Sequence, residues 1–201
     1  MRYLLIVFVF WTSGGVLAQK IAALEESQQM QQELNAAYTN PETSVLMEDD
    51  FKNFEGLEFY PLSEEFIVEA KFVRTPDEKP FEMPTTTERL PKYVKFGELQ
   101  FTLKGQALKL DVYQATDHEK HEGYEDYLFL PFTDMTNGDG SYGGGRYMDF
   151  RIPKGNKVIL DFNQAYNPYC AYNPKYSCPI PPEGNDLPLR IEAGVKAFDS
   201  L

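Results

Sequence analysis

The sequence predicts a mainly β protein, an antiparallel sandwich or open barrel with a surface helix at its N-terminus. Beyond Leu57 the apolar residues recur with a period of two, which is typical of half-buried strands. The strand-like runs are short and closely spaced, and Gly and Pro rather than helices separate them. That spacing favours antiparallel pairing and leaves the choice between sandwich and barrel open.

The first 18 residues have the pattern of a secretory signal peptide. Arg2 gives a positive start, Tyr3 to Trp11 is an unbroken apolar run, and small residues end at Ala18. The apolar run is shorter than the roughly 20 residues that a membrane-spanning helix needs. We therefore expect an exported, periplasmic or extracellular protein that begins near Gln19 and has no transmembrane segment.

Length and charge favour one acidic domain. Residues 19–47 are predicted to be a helix and linker, and residues 48–201 a single β-rich domain. The formal charge of −12 becomes −13 in the mature chain, because Arg2 is the only charged residue removed. Such a charge repels phosphate backbones, so we expect no nucleic acid partner.

The first element of the mature chain is predicted to be a helix from Ile21 to Tyr38. This segment is rich in Ala, Leu, Glu and Gln and contains no Gly or Pro. Its apolar stripe is thin, so we expect it on the surface, ending before Asn40-Pro41. Asp49 to Phe54 is predicted to add one short helical turn.

The remaining elements are predicted to be strands. Lys104-Gly105-Gln106 lies between the run that ends at Leu103 and the run that begins at Leu108, and it is short enough for a tight hairpin turn. The predicted strands are Phe66 to Val73, Leu99 to Leu103, Leu108 to Tyr113, Tyr127 to Leu130, Arg146 to Ile152, Val158 to Phe162 and Leu187 to Ala193.

The densest glycine cluster contains the dinucleotide pattern G-x-G-x-x-G at Gly138, Gly140 and Gly143. That fingerprint binds a pyrophosphate only where a helix follows it. Here the predicted strand from Arg146 follows instead. We therefore expect a wide loop with positive φ angles and a close backbone approach at Gly143 to Gly145, serving either as a turn or as the wall of a pocket.

Two long segments carry a family resemblance: "LFLPFTDMTNGDGSYGGGRYMDF" and "LDFNQAYNPYCAYNPKYSCPIPPEGNDLPLRIEAGVK". With "TTTERLPKYVKFGELQFTLKG" before them, they resemble the domain-of-unknown-function family 1684, an uncharacterised bacterial family, from about Glu48 to Lys196. The resemblance implies one compact domain and brings no activity with it. The positions that match the family's motif are Tyr142 to Tyr147, Asp149, Asp161 to Asn163, Ala165 to Pro168, Cys170, Cys178, Pro179 and Asn185.

Several of these positions could form one polar cluster. The guanidinium of Arg146 could bind an anion bidentately, with tyrosine rings stacked on either side of the ligand. Alternatively, the cluster could contain a buried ion pair and side-chain caps that hold a proline-rich loop in place. The carboxylates of Asp149 and Asp161 could also act as a hydrolytic pair, depending on their separation. The candidate ligand-binding residues are Arg146, Asp149, Asp161, Asn163, Asn167, Tyr142, Tyr147 and Tyr166.

The cysteines and histidines lead to weaker predictions of chemistry. Cys170 and Cys178 are the only cysteines, and so close a pair in an exported chain favours a disulfide over free thiols. His118 and His121 have the spacing of zinc ligands on a helix, but the charges around them indicate a solvated hairpin tip. We therefore predict neither a metal nor a cofactor.

Three functions remain open from the sequence. The leading hypothesis is a binding module whose polar cluster meets a small molecule, a glycan or a protein partner. The second is a hydrolase that uses carboxylates of the same cluster. The third is a structural accessory protein, in which the cluster locks the fold and the N-terminal helix is the docking element.

Overall fold

The computed structural model describes residues 13–117 and 122–199 of the chain. Within them, eight strands form one mainly antiparallel sheet that curls into a half-barrel, with a helix at the N-terminus. Helix α1 is Ser13–Thr39 and the short helix α2 is Glu48–Lys52. The strands are β1 Ile67–Arg74, β2 Phe81–Glu82, β3 Lys92–Leu103, β4 Gln106–Ala115, β5 Tyr127–Asp134, β6 Arg146–Arg151, β7 Lys157–Asp161 and β8 Asp186–Leu187.

The order of strands across the sheet is β6-β5-β4-β3-β1-β7. The short strand β2 pairs with β3, and β8 pairs with β5 in parallel. The β3–β4 hairpin turns at Lys104 and Gly105, which both have positive φ, as expected of a two-residue turn that follows the twist of the strands. The strands β6 and β7 are therefore the two edges of the curled sheet.

The inner face of the curl holds the main hydrophobic core. Alternate residues of β3 enter this core, with Leu99 and Phe101 buried while Gln100 between them is exposed. Phe162 reaches across the curl, and its ring centroid lies 5.6 Å from that of Phe132 on β5. This alternation confirms the period of two on which the strand predictions depended.

A second cluster of buried side chains lies on the outer face of β4, β5 and β6. Successive strand residues point to opposite faces, so Leu128 and Leu130 point into the main core and Phe129 between them points to the outer face. Phe129 packs instead with Tyr113 and Tyr147. The remaining members of the cluster are Met83 and Cys178, with Phe81, Tyr93, Tyr127, Tyr166, Cys170 and Tyr176 partly buried against it.

Helix α1 lies on the surface, as predicted, and ends at Thr39, directly before Asn40-Pro41. Its contacts with the domain are largely polar. Ser27 is buried and donates to a carboxylate oxygen of Asp161 at 2.7 Å, and Asn35 accepts the Leu57 amide at 2.7 Å. The thin apolar stripe of the helix is consistent with this kind of attachment.

The predicted strand from Leu187 to Ala193 is wrong beyond Leu187, where β8 ends. Leu187, Leu189, Ile191 and Ala193 do share a buried face, as the alternation suggested. The backbone between them has different partners, however. The Ile191 amide donates to Asp134 Oδ1 at 3.1 Å, and the Ile191 carbonyl accepts a hydrogen bond from Arg146 at 2.8 Å. The side chains of the buried ion pair Arg146–Asp134 therefore supply the hydrogen bonds to Ile191 that a neighbouring strand would otherwise supply.

The glycine loop leads into a strand, as predicted, and no helix follows it. Gly138, Gly140 and Gly145 have positive φ. A Cβ atom on Gly145 would stand 2.7 Å from the carbonyl oxygen of Phe132, which is the predicted close approach of two backbones. The loop therefore has a structural reason for its glycines that needs no phosphate.

Two sequence predictions fall partly or wholly outside the described residues. The signal peptide is one, because residues 1–12 are not described. The pair His118 and His121 is the other. Across residues 13–117 and 122–199, no helix combines the length and the apolar character needed to cross a membrane.

Candidate ligand-binding groove

The predicted polar cluster is divided between the two faces of β6. Arg146 and Asp149 are three residues apart, and an odd separation on a strand sends two side chains to opposite faces. Arg146 and Met148 are buried on the core side, whereas Asp149 is exposed on the other side. Arg146 and Asp149 therefore belong to different environments.

Arg146 forms a buried ion pair, which is the structural one of the two alternatives that the sequence left open for it. Its side chain is 0% exposed and pairs with Asp134, also fully buried, at 2.7 Å. The same guanidinium donates to the backbone carbonyls of Ile191 and Ala193. Because its donors face inward, Arg146 has no surface at which an anion could bind.

Asp161 and Asn163 also bind the protein itself. Strand β7 ends at Asp161, and a 3₁₀ turn, Phe162–Gln164, begins there with the Asp161 side chain as its cap. Asp161 Oδ1 accepts the Asn163 amide at 2.9 Å, and Oδ2 accepts the Ser27 hydroxyl at 2.7 Å. Asn163 in turn exchanges two hydrogen bonds with the backbone of Ser63. Burial raises the pKa of Asp161, and these hydrogen bonds oppose the rise.

Three further candidates have structural contacts. Asn167 is buried and donates to the Lys196 carbonyl at 2.8 Å. The Tyr147 hydroxyl donates to the carbonyl of Pro179. Tyr142 lies in the glycine loop, where its hydroxyl is 3.9 Å from Cys170 Sγ. Each of these side chains therefore contacts another part of the protein.

Asp149 differs from the other charged candidates because it is exposed and hydrogen bonds hold its carboxylate in one orientation. Its Oδ1 atom accepts hydrogen bonds from the hydroxyls of Tyr127 and Tyr166, each at 2.6 Å. The pKa of each tyrosine is raised well above the usual value for tyrosine. Burial is the larger cause, and the negative charge of Asp149 is the next. The hydroxyls therefore keep their protons and hold the carboxylate. No described residue donates a hydrogen bond to Oδ2 of Asp149.

Asp149 lies in a groove between helix α1 and the edge of the sheet. We call the cavity of about 360 Å³ in this groove the Asp149 groove. A second cavity of about 340 Å³ shares Asp149 and Gln164 with it and is lined by α1, β6 and β7. Helix α1 thus spans the opening between the two edge strands. The residues that line the Asp149 groove are Met30, Glu33, Leu34, Ala37, Asp149, Gln164, Tyr166 and Tyr169.

Of the predicted candidates, the Asp149 groove contains Asp149 and Tyr166. The antiparallel bridge between Tyr147 and Tyr166 brings Tyr166 beside Asp149. The sequence does not indicate that Glu33, Met30 and their helix neighbours line the groove, because a thin apolar stripe does not show which strand the helix will face. Tyr127 could have been found, since in an antiparallel pair of β5 and β6 it occupies the same face as Asp149.

The two cysteines lie side by side next to this groove as thiols. The Cys170 amide donates to Cys178 Sγ at 3.2 Å. A hydrogen bond from the Cys178 thiol lowers the pKa of Cys170 to about 6, against the effect of burial, and the Tyr142 hydroxyl adds to this lowering. The pKa of Cys178 is raised by the same pairing. Cys170 directly follows Tyr169, which lines the groove.

Neither a metal centre nor a carboxylate pair fits the described residues well. Within residues 13–117 and 122–199, no group of three or more His, Cys, Asp or Glu side chains could hold a metal ion. Asp149 and Asp161 line the same 340 Å³ cavity, but both oxygens of Asp161 accept hydrogen bonds from Ser27 and Asn163. Both oxygens of Asp161 thus serve hydrogen bonds within the protein, which disfavours a role for Asp161 as a hydrolytic base.

Comparison with known proteins gives a family and solved structures with a similar fold. The family described as "Protein of unknown function (DUF1684)" matches residues 52–196, close to the range expected from the sequence motifs. The solution NMR structure of an uncharacterised protein from Haloarcula marismortui is 29% identical to the chain, with a TM-score of 0.70 over 89% of this chain and 96% of that one. No curated protein matches the chain.

Proposed function

The chain belongs to the DUF1684 family of proteins of unknown function, and from that premise we propose that it is an exported binding module for a small molecule. Membership brings no activity to transfer, so the proposal depends on the chemistry of the groove. The ligand site is the Asp149 groove, and the rest of the predicted polar cluster serves the fold.

One observation carries this proposal. Among the charged residues of the predicted cluster, Asp149 alone is exposed, while Arg146 and Asp161 are buried and engaged in internal hydrogen bonds. Two tyrosine hydroxyls hold Asp149 Oδ1 in place, which leaves Oδ2 to accept a hydrogen bond from a ligand. A preorganised polar group in a largely apolar cavity is typical of ligand sites. The 360 Å³ volume lies in the lower part of the range for such sites.

The test is a thermal-shift screen of the mature protein against sugars, organic acids, nucleotides and amines. A ligand present at 100 times its dissociation constant adds about 2.7 kcal/mol of stability, or roughly 5–10 °C for a domain of this size. Asp149→Asn keeps an acceptor for the tyrosines but removes the charge. We expect the shift to disappear or to fall several-fold in this variant.

The matched control is Asp77→Asn, which removes one charge from an exposed residue that does not line the groove. This variant should respond to the ligand like the wild type. The proposal fails if no class of compound shifts the melting temperature. It also fails if a ligand shifts wild type and Asp149→Asn equally, because that ligand binds elsewhere.

A further inference from the structure

The charges that line the Asp149 groove have one sign. Glu33 from helix α1 and Asp149 from β6 contribute two carboxylates, and no Lys or Arg is among the described residues that line the groove. The nearest cation on β6 is Arg151, which is engaged with Asp126 at 2.7 Å and with the Gly123 carbonyl. A ligand that brings a positive charge would therefore meet two carboxylates and no cationic side chain among the described residues that line the groove.

Tyrosine rings stand beside these carboxylates. Tyr169 is 48% exposed, and its ring is held against Tyr176 at a centroid distance of 5.3 Å. Tyr166 lines the same cavity and stands edge-to-face against Tyr147 at 6.0 Å. Aromatic faces attract cations through their quadrupole, most strongly where water is partly excluded. Burial and the neighbouring charges raise the pKa of Tyr169, so its ring remains neutral.

The helix side of the groove is apolar. Leu34 and Ala37 are partly buried there, and Met30 adds a polarisable thioether. A bare metal ion would gain nothing from such a wall, whereas alkyl groups on a cation would be removed from water. The combination of carboxylates, aromatic rings and an apolar wall matches a cation that carries hydrocarbon.

We propose that the Asp149 groove binds a small organic ammonium ion, with the charged nitrogen between Asp149, Glu33 and the Tyr169 ring and the alkyl groups against Leu34. This inference rests on the proposed function and names its ligand class. The acidic surface of the protein, with a formal charge of −12, would increase the rate at which such a cation arrives.

The experiment is a calorimetric titration of the mature protein with choline and with spermidine. The matched probe is 3,3-dimethyl-1-butanol, which has the shape of choline with carbon in place of the charged nitrogen. We expect at least one ammonium compound to bind, and the neutral compound to bind at least tenfold more weakly than choline. Affinity for the ammonium compound should fall as salt is raised, because the interaction is between charges.

Three variants test the assignment of the groups. Asp149→Asn should weaken binding at least tenfold, and Tyr169→Leu should weaken it about 3- to 10-fold, within the range measured for cation–π contacts. Tyr169→Phe keeps the ring and should bind almost as well as the wild type. Asp77→Asn again controls for net charge and should leave the affinity unchanged.

The outcomes separate this inference from the proposed function. If neither ammonium compound binds but a neutral or anionic ligand binds in a manner sensitive to Asp149→Asn, the ligand class is wrong and the binding function stands. Equal affinity for choline and its neutral counterpart overturns the inference in the same way. If nothing in the broad screen binds, both proposals fail together.

Discussion

At the scale of single residues, the same types of side chain serve opposite purposes according to the face of the strand that they occupy. Arg146 and Asp134 neutralise each other where neither has any exposed surface, and they complete the hydrogen bonding of the segment around Ile191. Asp149, three residues from Arg146, is exposed and held by two tyrosine hydroxyls. The first arrangement stabilises the fold, and the second leaves a charge exposed at the surface of the Asp149 groove.

The stability of the fold should depend on the buried ion pair. Arg146→Ala leaves Asp134 as a buried charge without its partner, which costs about 3–5 kcal/mol. Lys157→Ala is the control, because Lys157 pairs with Glu69 while 69% of its own side chain is exposed; such surface pairs contribute at most about 1 kcal/mol. Urea denaturation measures both losses. Similar losses in the two variants would contradict a structural role for Arg146.

Asp161 should give the protein a pH-dependent stability. Its pKa is raised by burial, so the folded protein holds this proton more tightly than the unfolded chain does. The associated stability is complete below the unfolded pKa of about 3.9 and is lost as the pH rises through the folded pKa. Asp161→Asn cannot ionise. We therefore expect the wild type to lose stability relative to Asp161→Asn as the pH rises from about 3.5 to 7.

The measurement is the difference in unfolding free energy between wild type and Asp161→Asn across that pH range. The other carboxylates titrate in both proteins, so their contribution to the pH dependence cancels in this difference of unfolding free energies. Asp77→Asn supplies a baseline for an exposed carboxylate. A difference that stays constant with pH, or that moves in favour of the wild type, would show that Asp161 is not destabilised by burial.

At the scale of elements, the outer face of the sheet is covered by irregular segments rather than by a second sheet. The loop from Asn167 to Pro182 contains three tyrosines and both cysteines, and it packs on β5 and β6 through Tyr147, Cys178 and Pro179. Helix α1 is fixed beside it by Tyr38, whose ring meets that of Tyr172 at 4.8 Å. The groove exists because these two elements approach β6 from different sides.

The loop should be closed by a disulfide when the protein is exported. Cys170 and Cys178 are already in contact, and bridging a nine-residue loop would add about 2.5 kcal/mol by the chain-entropy estimate. Alkylation of the denatured, unreduced protein followed by mass spectrometry tests this. Both thiols alkylated without reductant would rule the bridge out.

After reduction, Cys170 should be the more reactive cysteine. Its pKa is lowered to about 6 by the Cys178 thiol, so it is largely thiolate at neutral pH, while Cys178 stays protonated. The rate of iodoacetamide labelling at Cys170 should reach half of its plateau near pH 6. A midpoint near 8.5, the value of an ordinary thiol, would show that the hydrogen bond to Cys170 is not formed in solution.

At the scale of the whole molecule, a curled sheet brings its two edge strands towards one another, and helix α1 lies across the opening between them. Residues from α1, β6 and β7 line a single cavity as a result. The contacts that attach α1 begin at Lys20, which donates to the Glu64 carbonyl at 2.9 Å. Removal of the predicted signal peptide would therefore leave this attachment intact.

Export should leave a protein whose first residue is close to Gln19. The sequence before it has the charge, apolar core and small residues that signal peptidase recognises. Intact mass spectrometry of the protein recovered outside the cytoplasm gives the answer directly. A recovered protein that retains Met1 to Ala18 would contradict both the cleavage and the signal peptide.

The pattern of the sequence was sufficient for most of the fold. The period of two predicted β1, β3 and β4, and Lys104-Gly105 predicted the hairpin that joins β3 to β4. Both predictions were possible because strand faces and tight turns are local properties of the chain. The long family motifs correctly identified the DUF1684 family. The helix end at Thr39 followed from the proline two residues later.

The site was only partly predictable. An odd separation could have shown from the sequence that Arg146 and Asp149 point to opposite faces of β6. The partner of Arg146 could not have been found in that way, since Asp134 comes from another strand. The failed strand beyond Leu187 has the same origin, because the hydrogen-bond partners of Ile191 are side chains from distant positions.

The sequence by itself determined most of the strands, the turn, the end of the helix and the family, all of which depend on neighbouring residues or on long motifs. The tertiary structure alone decided which polar side chains are buried in pairs and which face the groove. Residues 30–37, 149 and 164–169 become neighbours only when the sheet curls and α1 crosses its opening. Whether a carboxylate is a structural partner or an exposed site is a property of its final environment, because desolvation and hydrogen bonding depend on atoms that the local sequence does not contain.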